Sequence, residues 1–139
     1  MKTNTKKLRW SWIILFPILL RILMIALTFP YMFIYSALIE TGQSPSYYEQ
    51  YVFENRAWIS TILGLPVFYY ACYFMGKRIQ QGIVRNCLFV VGAYIITDIP
   101  IEWAVGDISD WRLIVAHASK LVIGYMGGLL AVRKIERTN

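Results

Sequence analysis

The chain has 139 residues and a formal net charge of +6, and hydrophobic side chains make up 58% of it against 16% for charged ones. Soluble domains average about 45–50% apolar and about 25% charged residues, so this composition excludes an ordinary soluble domain. The basic residues lie at the ends of apolar blocks instead of forming one patch, which excludes a nucleic-acid-binding surface.

Four apolar blocks follow one another along the chain, and each is long enough to cross a bilayer, which takes about 20 helical residues. They run over about residues 10–39, 57–75, 86–105 and 113–132. Two of the three connections are short, which favours antiparallel neighbours. The sequence therefore predicts an all-α, integral membrane four-helix bundle in a single transmembrane domain, residues 1–139. It predicts an up-down antiparallel topology with membrane lipid around it.

The basic residues predict the orientation of this bundle. Ten of the fourteen lie in segments that would share one side of the membrane: Lys2, Lys6, Lys7, Arg9, Lys77, Arg78, Arg85, Arg133, Lys134 and Arg137. Cytoplasmic segments carry the excess of Lys and Arg, so both termini should be cytoplasmic, an N-in/C-in topology. We expect a multi-pass protein of the cell membrane, in a bacterium the cytoplasmic (inner) membrane.

The first connection, Thr41 to Arg56, contains a helix-start signal. Ser46 and Glu49 have the spacing of a capping box, and aromatic residues surround them. This pattern predicts a short outer interfacial helix between helices one and two. Two roles are open for it, a structural lid on the bundle or a surface that contacts a solute or partner.

Five ionisable residues interrupt the apolar blocks: Arg21, Asp98, Glu102, His117 and Lys120. A charge at the centre of a membrane helix costs about 2.5–3.5 kcal/mol, so these residues should be paired, hydrated or functional. Counting depth along helices three and four predicts two pairs, Glu102 with His117 and Asp98 with Lys120, the latter in direct or one-water contact. Arg21 is expected near the midplane, within reach of Asp98 or of the level of Tyr69 and Tyr70 in helix two.

Gly124 and Gly128 share a helical stripe with Lys120 and form a small-xxx-small motif, which permits close helix packing. Because Lys120 should not face lipid, the stripe is expected to pack inside the bundle against helix three. The alternative is a homodimer contact.

Three functions fit these features. The first is a transporter or channel-like protein whose binding or proton-relay site is the charged cluster, for a small polar or anionic solute or protons; four helices then imply a dimer or larger oligomer. The alternative is an accessory, immunity or assembly subunit that binds another membrane protein, with structural salt bridges. An enzyme is the least favoured, because no catalytic motif is recognisable, and we predict no metal and no cofactor.

Cys72 and Cys87 have no metal-ligand spacing and are predicted to be small apolar residues.

Overall fold

The computed structural model of the protein describes residues 10–79, 81–105 and 110–137. Within these ranges the chain is helical apart from short connections. The N-terminal basic segment, residues 1–9, and most of the last connection, residues 106–109, lie outside them.

Four helices account for the described chain. Helix α1 spans Trp10–Ile34 and continues as a π-helical turn over Tyr35–Ile39; α2 spans Pro45–Ile79, α3 Ile83–Val105 and α4 Trp111–Glu136. Each is long and apolar enough to cross a membrane. The predicted first helix, residues 10–39, matches α1 with its π-helical turn. The other three extend beyond their predicted ends, because polar residues that leave the lipid still continue a helix. The chain is therefore an all-helical, multi-pass membrane protein.

Helix α2 begins earlier than its apolar block. Ser44 accepts a hydrogen bond from the backbone N–H of Tyr47 at its hydroxyl, 3.3 Å away, and Pro45 occupies the first helical position, where its missing N–H costs nothing. The predicted cap at Ser46 is therefore wrong by two residues. The segment predicted as a separate short helix is helical, but it is continuous with α2.

Tyrosines join the start of α2 to the end of α1. The rings of Tyr35 and Tyr51 stack with their centroids 4.0 Å apart, and the hydroxyls of Tyr31 and Tyr51 lie 3.3 Å apart. The Tyr48 hydroxyl donates to the backbone carbonyl of Glu40 over 2.6 Å. These side chains thus stabilise the α1–α2 connection from within the chain.

Glycines allow α4 to approach two helices closely. An ideal Cβ built on Gly127 would overlap the backbone carbonyl of Tyr69 in α2. A Cβ on Gly124 would lie 2.7 Å from Val91, and one on Gly128 would lie 3.2 Å from the Cys87 sulfur, both in α3. Gly124 and Gly128 thus lie against α3, whereas Lys120 of the same stripe lies against Gly64 of α2.

The start of α4 is fixed by Asp110. Its carboxylate accepts from the backbone N–H of Arg112 at 3.0 Å and from the Arg112 guanidinium at 2.9 Å. These hydrogen bonds to Arg112 hold the pKa of Asp110 below its usual value.

Candidate functional site

Helix α3 presents one polar stripe to the interior of the bundle. Tyr94, Asp98 and Glu102 are spaced by four residues, so they lie one above another on the same helical face. Tyr94 and Asp98 are buried and Glu102 is partly buried. Charged groups from α1 and α4 approach this stripe.

Arg21 of α1 pairs with Asp98. Its guanidinium Nη2 lies 2.7 Å from Asp98 Oδ1, and the side chains are 21% and 12% exposed. The guanidinium carbon also lies 5.1 Å from the centroid of the Tyr94 ring, within the range of a cation–π contact. Arg21 is thus paired with a carboxylate of a neighbouring helix, which is one of the two contacts that the sequence allowed.

Lys120 of α4 is fully buried but does not form the predicted ion pair with Asp98 within the described residues. Its ammonium donates to the Ser60 hydroxyl of α2 over 2.7 Å and lies 5.3 Å from the Tyr94 ring centroid. Its aliphatic chain lies against Gly64. The predicted direct contact is absent because α4 packs most extensively on α2, which turns Lys120 towards that helix. A contact between Asp98 and Lys120 through one water molecule stays a prediction.

His117 pairs with Glu102, as predicted. The two side chains are 13% and 16% exposed, and His117 Nε2 lies 3.0 Å from Glu102 Oε2. The other ring nitrogen, Nδ1, is buried and has no hydrogen-bond partner among the described residues. The imidazole therefore offers one nitrogen to a carboxylate and keeps a second nitrogen for a further partner.

Asp98, Glu102 and His117 also form a potential metal-ligand set. One ligand atom from each lies within 4.8 Å of the others, and two carboxylates with an imidazole suit a divalent transition metal. The charge balance opposes this use, because Arg21 and Lys120 already offset the two carboxylates. A divalent cation would add two uncompensated charges in a setting of low dielectric constant. The cluster is better suited to a proton or a polar group.

A cavity of about 190 Å³ adjoins the cluster. It is large enough for a few water molecules, each of which takes about 30 Å³ in the liquid. Its polar lining comprises Thr28, Arg56, Ser60, Tyr94, Asp98 and Glu102. Both carboxylates of the cluster therefore border a space that can hold water or a small polar group.

Four of these residues, Thr28, Arg56, Ser60 and Tyr94, were not singled out as site residues from the sequence. Tyr94 could have been found, because it lies one helical step of four residues before Asp98. Ser60 gives no signal, since a single small polar residue is common in membrane helices. Arg56 was assigned to the connection before helix two, yet its Nε is buried and has no partner within the described ranges.

The chain matches no protein-family profile, no curated protein and no solved structure. Its function must therefore follow from the chemistry of this cluster: partly neutralised charges, one imidazole with an unused nitrogen, and an adjoining polar cavity.

Proposed function

We propose that this membrane protein is a small transporter or channel-like protein, in which Arg21, Asp98, Glu102, His117 and Lys120 form the site for a small polar or anionic solute or for protons. The bundle is up-down and antiparallel, with both termini in the cytoplasm, and the first turns of α2 lie at the outer interface. The cytoplasmic membrane of a bacterium is the proposed location.

The cavity of about 190 Å³ beside Asp98 and Glu102 carries this proposal. An ion pair that serves only to fix the register between two helices gains nothing from an adjoining cavity. Such a pair fixes the helices most firmly when it is dry and fully packed. Ionisable groups that border a polar cavity inside a membrane mark solute sites and proton relays. The cavity thus favours a site over a purely structural network.

The Glu102–His117 pair is suited to moving a proton. An imidazole can accept a proton at one nitrogen and release it from the other, and His117 presents Nε2 to Glu102 while Nδ1 has no partner in the described chain. Lys120 and Arg21 keep the surrounding charge balanced as the pair changes its protonation. Four helices enclose only a narrow path, so a dimer or larger oligomer belongs to the proposal.

An accessory, immunity or assembly subunit is the second candidate, and one observation favours it. Both carboxylates of the cluster already have direct partners, Arg21 at 2.7 Å and His117 at 3.0 Å. In that reading the pairs only hold α1, α3 and α4 in register. A partner surface on the outer tyrosines is less favoured, since Tyr35, Tyr48 and Tyr51 contact their own chain.

Proton flux into vesicles tests the proposal. The purified protein, reconstituted in vesicles that contain a pH-sensitive dye, should acidify the lumen when a potassium diffusion potential is applied. Glu102→Gln should lower the rate at least about tenfold, since one acid–base group contributes about 10²–10⁴-fold where proton transfer limits the rate. Arg112→Gln is the control, because Arg112 pairs with Asp110 outside the cluster.

The opposite result would favour the second candidate. In that case proton flux, and the swelling of vesicles in small polar solutes, would equal those of protein-free vesicles. The folded Glu102→Gln chain would then behave as the parent does.

A further inference from the structure

The polar cavity beside the charged cluster has two walls of different chemistry. Its α3 wall carries the carboxylates of Asp98 and Glu102, and its α2 wall carries Arg56 and Ser60. Arg56 and Ser60 are four residues apart, so they lie one above the other on the same face of α2. The cavity therefore has an acidic wall and a second wall with a guanidinium and a hydroxyl.

The carboxylates of the acidic wall are already balanced by positive charges. Asp98 lies 2.7 Å from the Arg21 guanidinium, and Glu102 lies 3.0 Å from the His117 ring. Lys120 is fully buried behind the cavity and contributes the second positive charge. When the imidazole is neutral, two cations thus offset two carboxylates, and this wall has no net charge with which to attract a cation.

Arg56 adds a positive charge that no carboxylate offsets. Within the described part of the chain, no carboxylate lies at ion-pair distance from it. Its Nη1 donates to the backbone carbonyl of Phe53 at 2.9 Å, and its Nε is buried without a described acceptor. Asp110 is near enough to interact electrostatically with Arg56, but both of its carboxylate oxygens accept from Arg112. The cluster together with Arg56 therefore carries one more positive than negative charge.

Ser60 is positioned to donate a hydrogen bond beside this charge. Its oxygen accepts from the Lys120 ammonium over 2.7 Å, and it donates to no other residue that the structure describes. A hydroxyl that accepts one hydrogen bond keeps its own proton for another partner. The α2 wall thus offers a guanidinium and a hydroxyl proton to the same small space.

We infer that the cavity binds one small monovalent anion with oxygen acceptors, of the nitrate or carboxylate type, between the Arg56 guanidinium and the Ser60 hydroxyl. Such an anion offsets the single uncompensated charge, and its planar pair of oxygens matches the donor fork of a guanidinium. A divalent anion would bring a second negative charge towards the acidic wall with no cation to offset it. The inference rests on the proposed function, since it names the solute class of the same cavity.

Thermal unfolding in detergent tests the anion site without any transport. The full chain and its variants are unfolded in rising potassium nitrate, and the difference in melting temperature between the parent and Arg56→Gln is followed. This difference should grow with nitrate and then saturate, because a ligand that binds only the folded chain stabilises it. Potassium sulfate should produce no such difference. General effects of salt cancel, since both chains are compared in the same solution.

Two further variants separate charge from geometry. Arg56→Lys keeps the charge but loses the planar fork, so it should need about tenfold more nitrate for the same stabilisation. Arg112→Gln removes an arginine outside the cavity and should respond to nitrate as the parent does.

Swelling of vesicles connects the site with transport. Vesicles that contain the protein are placed in potassium nitrate with a potassium ionophore and a protonophore, so that nitrate entry alone or together with a proton leads to swelling. The rate, after subtraction of protein-free vesicles, should fall about tenfold in Arg56→Gln, as expected for the loss of a charge-assisted contact. In potassium sulfate the protein should add nothing to the rate.

Two results would overturn the inference: the same response to nitrate in the parent and Arg56→Gln, or equal rates of swelling in nitrate and sulfate. Stabilisation by nitrate that requires Arg56, in a chain that passes neither nitrate nor protons, would support the anion site and contradict transport. Proton flux without an Arg56-dependent effect of nitrate would contradict the anion site alone.

Discussion

At the scale of single residues, the bundle gives each buried charge a different kind of partner. Arg21 has a carboxylate, Lys120 a hydroxyl, and both lie near the Tyr94 ring, at 5.1 and 5.3 Å from its centroid. Removing one member of a buried pair leaves a largely buried charge without its ionic partner. Replacing both members removes that cost, so a single variant should be destabilised much more than the double variant.

The Arg21–Asp98 pair offers the sharpest test of this difference. Arg21→Met should lower the free energy of unfolding by about 3 kcal/mol, because Asp98 is left buried and unpaired. Arg21→Met combined with Asp98→Asn should return it to within about 1 kcal/mol of the parent. Thermal unfolding in detergent, followed by circular dichroism, measures both.

The activity of the double variant then separates the two proposed functions. A folded double variant without proton flux is expected if the cluster is a site. Full activity in that variant would identify the pair as a structural contact.

The residue pairs show what depth along a helix can and cannot predict. Glu102 and His117 were matched from the sequence because α3 and α4 are joined by a short connection, which fixes their relative height. The rotation of α4 about its axis was not accessible, because it depends on glycine contacts with α2. Lys120 consequently faces Ser60 instead of Asp98.

At the scale of helices, α4 owes its place to three glycines that allow close approach on two sides. Gly127 lies against the backbone of α2, while Gly124 and Gly128 lie against side chains of α3. Two backbones this close leave no space for a methyl group, so side-chain volume at these positions controls the packing of the whole helix.

A pair of glycine substitutions tests this packing. Gly127→Ala should destabilise the bundle by about 1–3 kcal/mol, because the new Cβ overlaps the Tyr69 carbonyl and the helices must separate. Gly92→Ala in α3 is the control, since its Cβ would meet nothing within 4 Å and alanine favours a helix by up to about 1 kcal/mol. Equal melting temperatures for the two variants in detergent would contradict the close α2–α4 contact.

Helix existence was predictable here, but helix ends were less so. Hydropathy identifies the stretch that lipid can surround, which for α2 was about residues 57–75. The helix itself starts at Pro45, because Ser44 caps it and the intervening polar residues form helix readily. The π-helical turn over Tyr35–Ile39 had no sequence signal.

At the scale of the molecule, the helix lengths and the bilayer do not match. Helix α2, with 35 residues, is about 52 Å long, whereas the hydrocarbon core is about 30 Å thick. The excess must tilt or emerge from the lipid. Its first turns carry Glu49, Glu54 and Arg56, and its last turn carries Lys77 and Arg78. In the proposed orientation, which follows the positive-inside rule, the basic end lies on the cytoplasmic side and the acidic end outside.

Labelling with a membrane-impermeant maleimide tests this orientation in intact cells. A cysteine introduced as Ser46→Cys, near the start of α2, should react from outside, because Ser46 is exposed and precedes the emerging turns. A cysteine introduced as Thr138→Cys should react only after the membrane is opened, because the proposed orientation, based on the position of ten of the fourteen basic residues, has both termini inside. The parent chain is the control: Cys72 and Cys87 are fully buried and should stay unlabelled in both conditions. Reaction of the C-terminal cysteine in intact cells, or protection of the Ser46→Cys position, would reverse the orientation and place the acidic start of α2 in the cytoplasm.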